Sequence, residues 1–345
     1  MKLKKQFEDF HKLISVRRSN IGYDLIEKRN TLEIVFGDKF PDICKNDGIF
    51  INKSNMVFID QGSYKIGTII KSPPNGSIDR DVAVIFPLDI NEHNDPRVLK
   101  KHAKTALEIK NKRVPRIKEP CVTVSYFENG KEWLHIDFPM YAEYNGKLYL
   151  ARGKETSLNY TWEESDPKGL NSYFENRLKD NAQLKRIIRY IKKWKMENYS
   201  STGSKGAPPS VGLTILACTN FVESKEGNSY DDLTALYKTM ERILRAFAVS
   251  PDYNDEVTSA TINCNLPVMP FTDVFNNMSK SNAYGVAFYK RWKKAVESLQ
   301  NACNVDSEHE AAKYVQKALG DAFDIPPKEA VQTMSTLGKR ETNFG

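Results

Sequence analysis

The sequence has no long run of apolar residues, and this absence excludes two classes of protein. None of its apolar stretches approaches the ~18 residues that a membrane-spanning helix needs. Residues 1–13 carry lysines and a Phe/Leu helical pattern but no uninterrupted apolar core, which argues against a secretory signal. We therefore expect a cytoplasmic protein with no membrane partner.

Cysteine is also scarce. The five cysteines are odd in number, lie far apart and form no CxxC pair, so neither a structural zinc site nor a disulfide framework is expected. In a protein that is not secreted, they are predicted to be reduced thiols. They are Cys44, Cys121, Cys218, Cys264 and Cys303.

Neither sign of charge is in large excess. The 345 residues include 51 Lys and Arg against 44 Asp and Glu, a net charge of +7. An excess of this size fits nucleic acid, a membrane surface or a phosphate-bearing small molecule, and composition does not choose among them. The length has room for one large or two modest domains.

The first half of the chain mixes helix and strand signals. Helical spacing of apolar residues from 4 to about 35 predicts one long or broken N-terminal helix that packs across the body of the protein. Strand-like apolar runs follow at 56–59 and 81–86. Asp95-Pro96 then predicts the start of a helix that continues to about Asn111.

Three further strands are predicted at 121–127, 132–141 and 147–151. They are joined by Asn129-Gly130 and Asn145-Gly146, which suit type I′ turns because both central residues need positive φ. The stretch is therefore predicted to be an antiparallel meander.

Beyond Gly169 the pattern is helical almost to the end, interrupted by the Gly/Ser/Pro-rich segment 200–209. These signals predict an α+β protein. Residues 1–160 would form a mixed α/β half, residues 161–328 an all-helical half, and residues 329–345 a polar, flexible tail.

Two carboxylates lead one predicted strand, in Asp79-Arg80-Asp81. Residues two apart on a strand point to the same face, so Asp79 and Asp81 lie side by side while Arg80 points away. Adjacent carboxylates repel, and the simplest stable use of them is to share a divalent metal. Asp137 is the candidate third ligand, because an acid within an apolar, aromatic strand is otherwise costly.

A phosphate cradle is predicted just before these acids, at Gln61-Gly62-Ser63. Glycine lets the backbone approach a ligand closely, and exposed N–H groups with a Ser hydroxyl can bind phosphate oxygens. Carboxylates, two metal ions and a phosphate cradle together are typical of nucleotidyl transfer. The alternative is a plain turn at Gly62-Ser63 with the acids in an exposed loop.

This ordered set of motifs resembles the polymerase-β-like nucleotidyltransferases, and more narrowly the bacterial CD-NTases, relatives of cyclic GMP-AMP synthase and oligoadenylate synthetase. Weaker similarity extends to 7–14, Trp162, 165–170 and 320–323. The resemblance implies a two-lobed fold with a mixed β-sheet catalytic lobe, a long N-terminal helix and a helical C-terminal lobe. It also implies two Mg²⁺ ions, with Mn²⁺ as a substitute, held by Asp79, Asp81 and Asp137, the last acting as general base.

A predicted amphipathic helix at 184–194 supplies a further candidate. Lys192 lies at the edge of its apolar stripe and could reach into a cleft. In the family, a Lys two before Trp and a Ser or Gln after the next loop bind the nucleotide triphosphate. The residues implied here are Lys192 and Ser210, beside Gln61, Gly62 and Ser63. The other basic residues of this helix are interpreted as its solvated face.

The activity implied by the resemblance is synthesis of a cyclic di- or trinucleotide second messenger from nucleoside triphosphates in bacterial anti-phage signalling. A purine cyclic dinucleotide such as c-di-GMP or cGAMP is the favoured product, and Tyr64 and 162–170 are candidates for base recognition. The implied partners are nucleoside triphosphates and an effector protein reached through the diffusible product. We expect a monomer that binds no nucleic acid stably.

Some alternatives stay open at this point. The chain could be a template-independent RNA nucleotidyltransferase, or an inactive nucleic-acid-binding protein on the same fold. Gly345 resembles the tails that some CD-NTases offer to an E1-like conjugating partner, with a frayed end as the alternative. The Gly-Ser-Lys-Gly segment 203–206 lacks P-loop spacing and is interpreted as a loop. His135 shares a strand face with Asp137 and could touch the site, but a structural histidine is the favoured interpretation.

Overall fold

The computed structural model describes most of the chain. The described residues are 2–16, 20–70, 77–109, 113–199, 206–278 and 281–328. Most of the predicted loop at 203–206, together with the tail at 329–345 and its Gly345, lies outside them. Within the described ranges, no helix has the length and apolarity needed to cross a membrane.

A mixed eight-stranded sheet forms the centre of the first half. Its strands are β1 (Val57–Gln61), β2 (Ile78–Pro87), β3 (Arg116–Ile117), β4 (Val122–Glu128), β5 (Lys131–Phe138), β6 (Met140–Tyr144), β7 (Lys147–Arg152) and β8 (Thr161–Glu164). β2 pairs antiparallel with β1 along one edge and parallel with β5 and β6 along the other. Only Pro139 separates β5 from β6, and its carbonyl accepts the Val84 N–H at 2.9 Å.

The predicted antiparallel pairings are confirmed. β4 pairs with β5, and β6 pairs with β7, each through an Asn-Gly turn. The turn residues Asn129 and Gly130 have φ of 50° and 75°, and Asn145 and Gly146 have 50° and 73°, as a type I′ turn requires. The sequence pattern did not show that the second predicted strand, 132–141, is divided at Pro139 into β5 and β6. It also did not show that both parts run parallel to β2. Parallel pairing leaves no local turn signal in the sequence.

The predicted N-terminal helix is broken in two. The parts are α1 (Lys4–Ile14) and α2 (Asn20–Asn46), and α2 extends beyond the predicted end near residue 35. Phe7 and Phe10 of α1 pack into the core of the helical half, whereas Phe36 and Phe40 of α2 pack on the sheet. The N-terminal segment therefore contributes to both cores.

The remaining helices are α3 (Gly62–Lys65), α4 (Pro96–Leu107), α5 (Pro167–Leu178), α6 (Ala182–Asn198), α7 (Ser210–Asn220), α8 (Asp232–Leu244), α9 (Asn282–Asn304) and α10 (Glu308–Leu319). Asp95 caps α4 by accepting the Arg97 N–H, as predicted, although the helix ends before Asn111. From α5 onward the helices bury one continuous apolar core around Trp194 and Trp292, whose rings lie 4.7 Å apart. The two-lobed α+β architecture is thus confirmed.

The prediction that the second half is entirely helical is wrong in two places. Short antiparallel hairpins interrupt it, formed by β9 (Lys225–Glu226) with β10 (Ser229–Tyr230) and by β11 (Ala248–Pro251) with β12 (Val257–Thr261). Val257, Thr258 and Thr261 are β-branched and favour a strand, while Asp255 supplies the positive φ of the second turn. An irregular segment at 262–278 follows before α9.

A fully buried lysine on α4 fixes the loop that leads into β4. The Lys100 ammonium donates to the carbonyls of Lys118 at 2.6 Å, Glu119 at 2.7 Å and Gly153 at 2.7 Å. Three acceptors match its three N–H groups, so the buried charge is fully solvated by the backbone. The same loop carries Lys118 to the carboxylate of Asp137.

We expect Lys100→Met to destabilise the protein strongly, because the Lys118 and Gly153 carbonyls lose this donor, while the Glu119 carbonyl keeps the Gly153 N–H. The loss should be about 3 kcal/mol or more, since each buried unsatisfied group costs ~1–3 kcal/mol. Urea unfolding followed by circular dichroism measures it. The exposed neighbour Lys101→Met is the matched control and should change the free energy of unfolding by less than ~0.5 kcal/mol. Equal stability of the two variants would contradict the prediction.

Candidate active site

The register of β2 with β5 brings four polar side chains to one place. Asp79 lies opposite His135, and Asp81 lies opposite Asp137. Because side chains two apart on a strand share a face, all four point to the same side of the sheet. Arg80 points to the other side, where it is 2% exposed and binds Asp60.

Three of these side chains form a candidate metal centre. Asp79, His135 and Asp137 each offer a ligand atom within 4.8 Å of the others. Asp81 lies deeper, and burial together with the Asp79 and Asp137 carboxylates raises its pKa well above the usual range. A divalent cation would relieve this repulsion, and carboxylate oxygens are ligands that Mg²⁺ accepts. Two of the three predicted ligands, Asp79 and Asp137, belong to this group, and the third, Asp81, lies close enough to interact electrostatically with both.

His135 connects Asp79 to the rest of the sheet. Its Nε2 lies 3.1 Å from Asp79 Oδ1, and its Nδ1 lies 3.1 Å from both Ser77 Oγ and Glu132 Oε1. Burial opposes protonation, but the hydrogen bond to Asp79 and the charge of that carboxylate prevail, so the pKa of His135 is raised. A ring held on both sides can orient Asp79 for a cation. Of the two interpretations of His135, as a structural residue or as one that reaches the site, the contact with Asp79 favours the second.

The Gly62-Ser63 segment lies directly against the acids. α3 is a single turn that begins at Gly62, whose φ is +64°. A Cβ at this position would lie 2.0 Å from Asp81 Oδ2. Only glycine permits both the backbone conformation and this approach, so the turn and the carboxylate occupy adjacent space.

A cavity of about 470 Å³ opens between this face of the sheet and the helical half. All five residues predicted to bind triphosphate line it, namely Gln61, Gly62, Ser63, Lys192 and Ser210. Asp79 and Asp81 line it as well, whereas Asp137 lies one strand further, beside Asp81. The structure thus brings the predicted residues together around one cleft.

Other cleft residues were missed from the sequence. They include Tyr141, Asn171, Phe174 and Lys195. Lys195 follows Lys192 by three residues on α6, and this i, i+3 spacing is the signal that could have identified it. Asn171 and Phe174 lie three residues apart on α5, and Tyr141 lies on β6.

The candidates for base recognition divide between two places. Pro167 and Leu170 line the cleft. Among the described residues, Tyr64 does not line the cleft. Its ring instead packs against the Arg80 guanidinium, whose carbon lies 3.9 Å from the ring centroid. Trp162 instead donates from Nε1 to the His93 carbonyl at 2.8 Å.

Two lysines of α6 reach the cleft in different ways. Lys192 is 7% exposed and donates to the Thr68 carbonyl at 3.3 Å and to Thr68 Oγ1 at 3.0 Å. Burial, and then the charge of Arg189, lowers the pKa of Lys192 to about 7. Lys195 donates to Ser210 Oγ at 2.8 Å, at the first residue of α7. The lysine paired with Ser210 is therefore Lys195.

Comparison with known proteins also identifies similarity to nucleotidyltransferases. Residues 56–141 match the family model described as cyclic GMP-AMP synthase DncV-like, nucleotidyltransferase domain. A cyclic GMP-AMP synthase of Escherichia albertii is 31% identical over 166 residues. That match covers 45% of this chain and 35% of the relative, so it spans about a third of the relative's length.

Solved structures show similarity over nearly the whole chain. The Vibrio cholerae DncV cyclic AMP-GMP synthase, a prokaryotic cGAS homologue, has a TM-score of 0.67 at 17% identity, covering 94% of this chain and 97% of that one. Its complex with non-hydrolysable GTP has a TM-score of 0.68 with the same identity and coverage. Residues 56–141 of this chain therefore match a DncV-like nucleotidyltransferase domain, and the chain has the fold of Vibrio cholerae DncV.

Proposed function

We propose that this chain is a cyclic-oligonucleotide synthase that joins nucleoside triphosphates by metal-dependent nucleotidyl transfer. The observation that carries the proposal is the placement of Asp79 and Asp81 at the cleft, with Asp81 against Gly62 and Asp137 opposite Asp81 on the adjacent strand. The similarity to DncV supports it, because one solved structure of that protein contains the linear intermediate pppA(3′,5′)pG.

Asp79, Asp81 and Asp137 would hold two Mg²⁺ ions, with Mn²⁺ as a substitute, to neutralise phosphate oxygens and lower the pKa of the attacking hydroxyl. Gly62 and Ser63 present backbone N–H groups and a hydroxyl to the donor triphosphate. Gln61 lines the same wall of the cleft.

The helical half supplies the opposite wall. Lys192, Lys195 and Ser210 face the acids across the cavity. A lysine ammonium is a compact charge on a flexible stem and suits a triphosphate whose position changes during transfer. Donor binding therefore requires residues from both lobes.

The reaction joins a ribose hydroxyl of one nucleotide to the α-phosphate of another. The new P–O bond forms as the bond to pyrophosphate breaks, and Asp137 accepts the hydroxyl proton. A second transfer closes the linear product into a cyclic di- or trinucleotide, for which a purine cyclic dinucleotide is the favoured composition. The product would act as a second messenger in bacterial anti-phage signalling and activate a separate effector protein.

We expect Asp79→Asn and Asp81→Asn to lower product formation by at least about 10²-fold, because each removes charge where the transition state needs it. Incubation with radiolabelled nucleoside triphosphates and Mg²⁺, then phosphatase treatment, measures the resistant product. Asp306→Asn, at an exposed position outside the cleft, is the control. Full activity in either site variant would contradict the proposal, as would the absence of product from the wild type with any mixture of the four nucleotides.

We expect Gly62→Ala to abolish activity, because the new Cβ displaces the Asp81 carboxylate. Gly48→Ala is the matched control: its φ is +74°, but nothing lies within 4 Å of the added Cβ. Both variants carry the ~1–2 kcal/mol cost of a left-handed alanine. Thermal unfolding should show this cost in both, while product formation should fail only in Gly62→Ala.

We expect Asp81→Asn to stabilise the protein in EDTA. A raised folded-state pKa means that the folded protein holds this proton more tightly, so stability falls as pH rises from the unfolded pKa towards the folded one. At pH 7.5 the substitution removes the group whose ionisation opposes folding, and it should raise Tm by about 2 °C. Mg²⁺ should raise the Tm of the wild type and not that of the variant. Destabilisation in EDTA would show that the carboxylates do not repel as inferred.

A further inference from the structure

Arg80 lies between the two acids of β2 in the sequence, and its side chain is on the opposite face of the sheet. It is almost completely buried. A buried guanidinium is costly unless acceptors satisfy its N–H groups. The contacts of Arg80 therefore show which parts of the lobe its position controls.

The guanidinium joins β2 to two neighbouring elements. Its Nε and Nη2 donate to Asp60 Oδ1 at 3.2 and 2.9 Å, and Nη2 also lies 3.1 Å from Asp60 Oδ2. Its Nη1 donates to the Leu25 carbonyl at 2.7 Å. Asp60 lies on β1 and Leu25 on α2, so one planar cation holds β2 against both.

The same guanidinium also contacts the Gly62-Ser63 turn. Its carbon lies 3.9 Å from the centroid of the Tyr64 ring, within the range of a cation–π interaction. Asp60 precedes the turn and Tyr64 follows it. Arg80 therefore holds the chain on both sides of the proposed phosphate cradle.

The space between this turn and the acids is small. Gln61 lies opposite Asp81 in the pairing of β1 with β2, and a Cβ on Gly62 would lie 2.0 Å from Asp81 Oδ2. A displacement of about 1 Å at a reacting group can cost about 10²-fold in rate. The distance between the turn and the carboxylates is therefore a quantity that the protein must control.

Asp60 connects this group to the other wall of the cleft. Its carbonyl accepts a hydrogen bond from Asn171 Nδ2 at 3.1 Å, while its carboxylate is bound by Arg80. Asn171 lies on α5 and lines the cleft. Contacts of Arg80 thus extend from α2, through β1, to the helical lobe.

We propose that Arg80 is a positioning residue for nucleotidyl transfer, which sets the distance between the Gly62-Ser63 turn and the Asp79/Asp81 pair from the opposite face of the sheet. The turn would bind the triphosphate and the acids its divalent cation, so this distance decides whether both are bound together. The inference rests on the proposed function and makes it more specific. From the sequence, Arg80 was predicted only to point away from the acids.

Substitution by lysine separates positioning from charge. Arg80→Lys keeps the cation but loses the forked contact with Asp60 and the planar contact with Tyr64. The readout is the Kd of non-hydrolysable ATP and GTP analogues, measured by calorimetry in Mg²⁺ and in Ca²⁺. Mg²⁺ demands near-ideal octahedral geometry, whereas Ca²⁺ accepts variable geometry. We expect Kd to rise about tenfold in Mg²⁺ and less than about threefold in Ca²⁺.

Arg186→Lys is the matched control. Arg186 donates to both carboxylate oxygens of Asp232, at 2.6 and 2.8 Å, and its guanidinium carbon lies 5.1 Å from the Tyr230 ring centroid. It is not among the described residues that line the cleft. Thermal unfolding should show a similar loss of Tm in both lysine variants. Arg186→Lys should leave Kd within about twofold of the wild type with either cation.

Tyr64 gives a second test that leaves Arg80 in place. Tyr64→Leu removes the ring face and Tyr64→Phe keeps it, so only the first should raise Kd in Mg²⁺, by about threefold. The double variant with Arg80→Lys should lie within about twofold of Arg80→Lys alone, because both changes remove one contact. If Arg80→Lys does not fold, the two Tyr64 variants carry the comparison.

The inference is overturned if Arg80→Lys raises Kd equally in Mg²⁺ and Ca²⁺, or no more than Arg186→Lys does. For the Tyr64 variants, the contradicting result is equal binding by Tyr64→Leu and Tyr64→Phe. A wild type that binds the analogues but makes no product from the four nucleotides would refute the proposed synthase activity. The binding comparison would still decide the role of Arg80.

Discussion

The mutual repulsion of three carboxylates on adjacent strands is the constraint on which the rest of the site depends. Asp79 and Asp81 share a face of β2, and Asp137 lies opposite Asp81 on β5. Like charges this close destabilise the folded state unless cations compensate them. Two compensating groups are already present, since His135 contacts Asp79 and Lys118 contacts Asp137. Asp81 has no such direct partner among its recorded contacts, and burial together with the two neighbouring carboxylates raises its pKa.

The surroundings of Asp81 explain why the strain is retained. The Asp81 carboxylate packs against Gly62, in the space that a Cβ at this position would occupy. A protein that did not use the three acids could replace Asp81 with an amide at little structural cost. Three carboxylates kept this close together are expected at a site that binds a divalent cation. Local strain of this kind is commonly retained because it serves function.

The helical lobe is tied to this site through backbone carbonyls rather than through the acids. Arg189 and Lys192 bind the segment after the Gly62-Ser63 turn, and the apolar core of the helices includes Ile66. A shift of α6 would therefore move the turn relative to β2. Such coupling explains how two lobes with separate cores can present one cleft to a single ligand.

The sequence predicted the acids, the turn and the division into two kinds of structure because each leaves a local pattern. The Asp-x-Asp spacing identifies a shared strand face, and the Asn-Gly pairs identify hairpins. Parallel pairing of β2 with β5 and β6 was not predicted, because nothing near these strands in the sequence specifies it. Lys195 was missed as a cleft residue, although its position one turn after Lys192 on α6 is a local signal. The boundary near residue 160 stays a prediction, and the contribution of α1 to the helical core shows that packing crosses it.

The net charge of +7 takes on a definite meaning once the cations are located. Several of the most buried ones bind within the protein: Arg80 binds Asp60, and Lys100 binds three carbonyls. At the cleft, lysines on α6 face carboxylates on β2, so the two walls carry opposite charge. A bare nucleic-acid backbone would be repelled by the acidic wall, and a free metal ion by the basic one. A triphosphate that carries its own divalent cation matches both walls, which is why the modest basic excess is better explained by small polyphosphates than by a nucleic-acid surface.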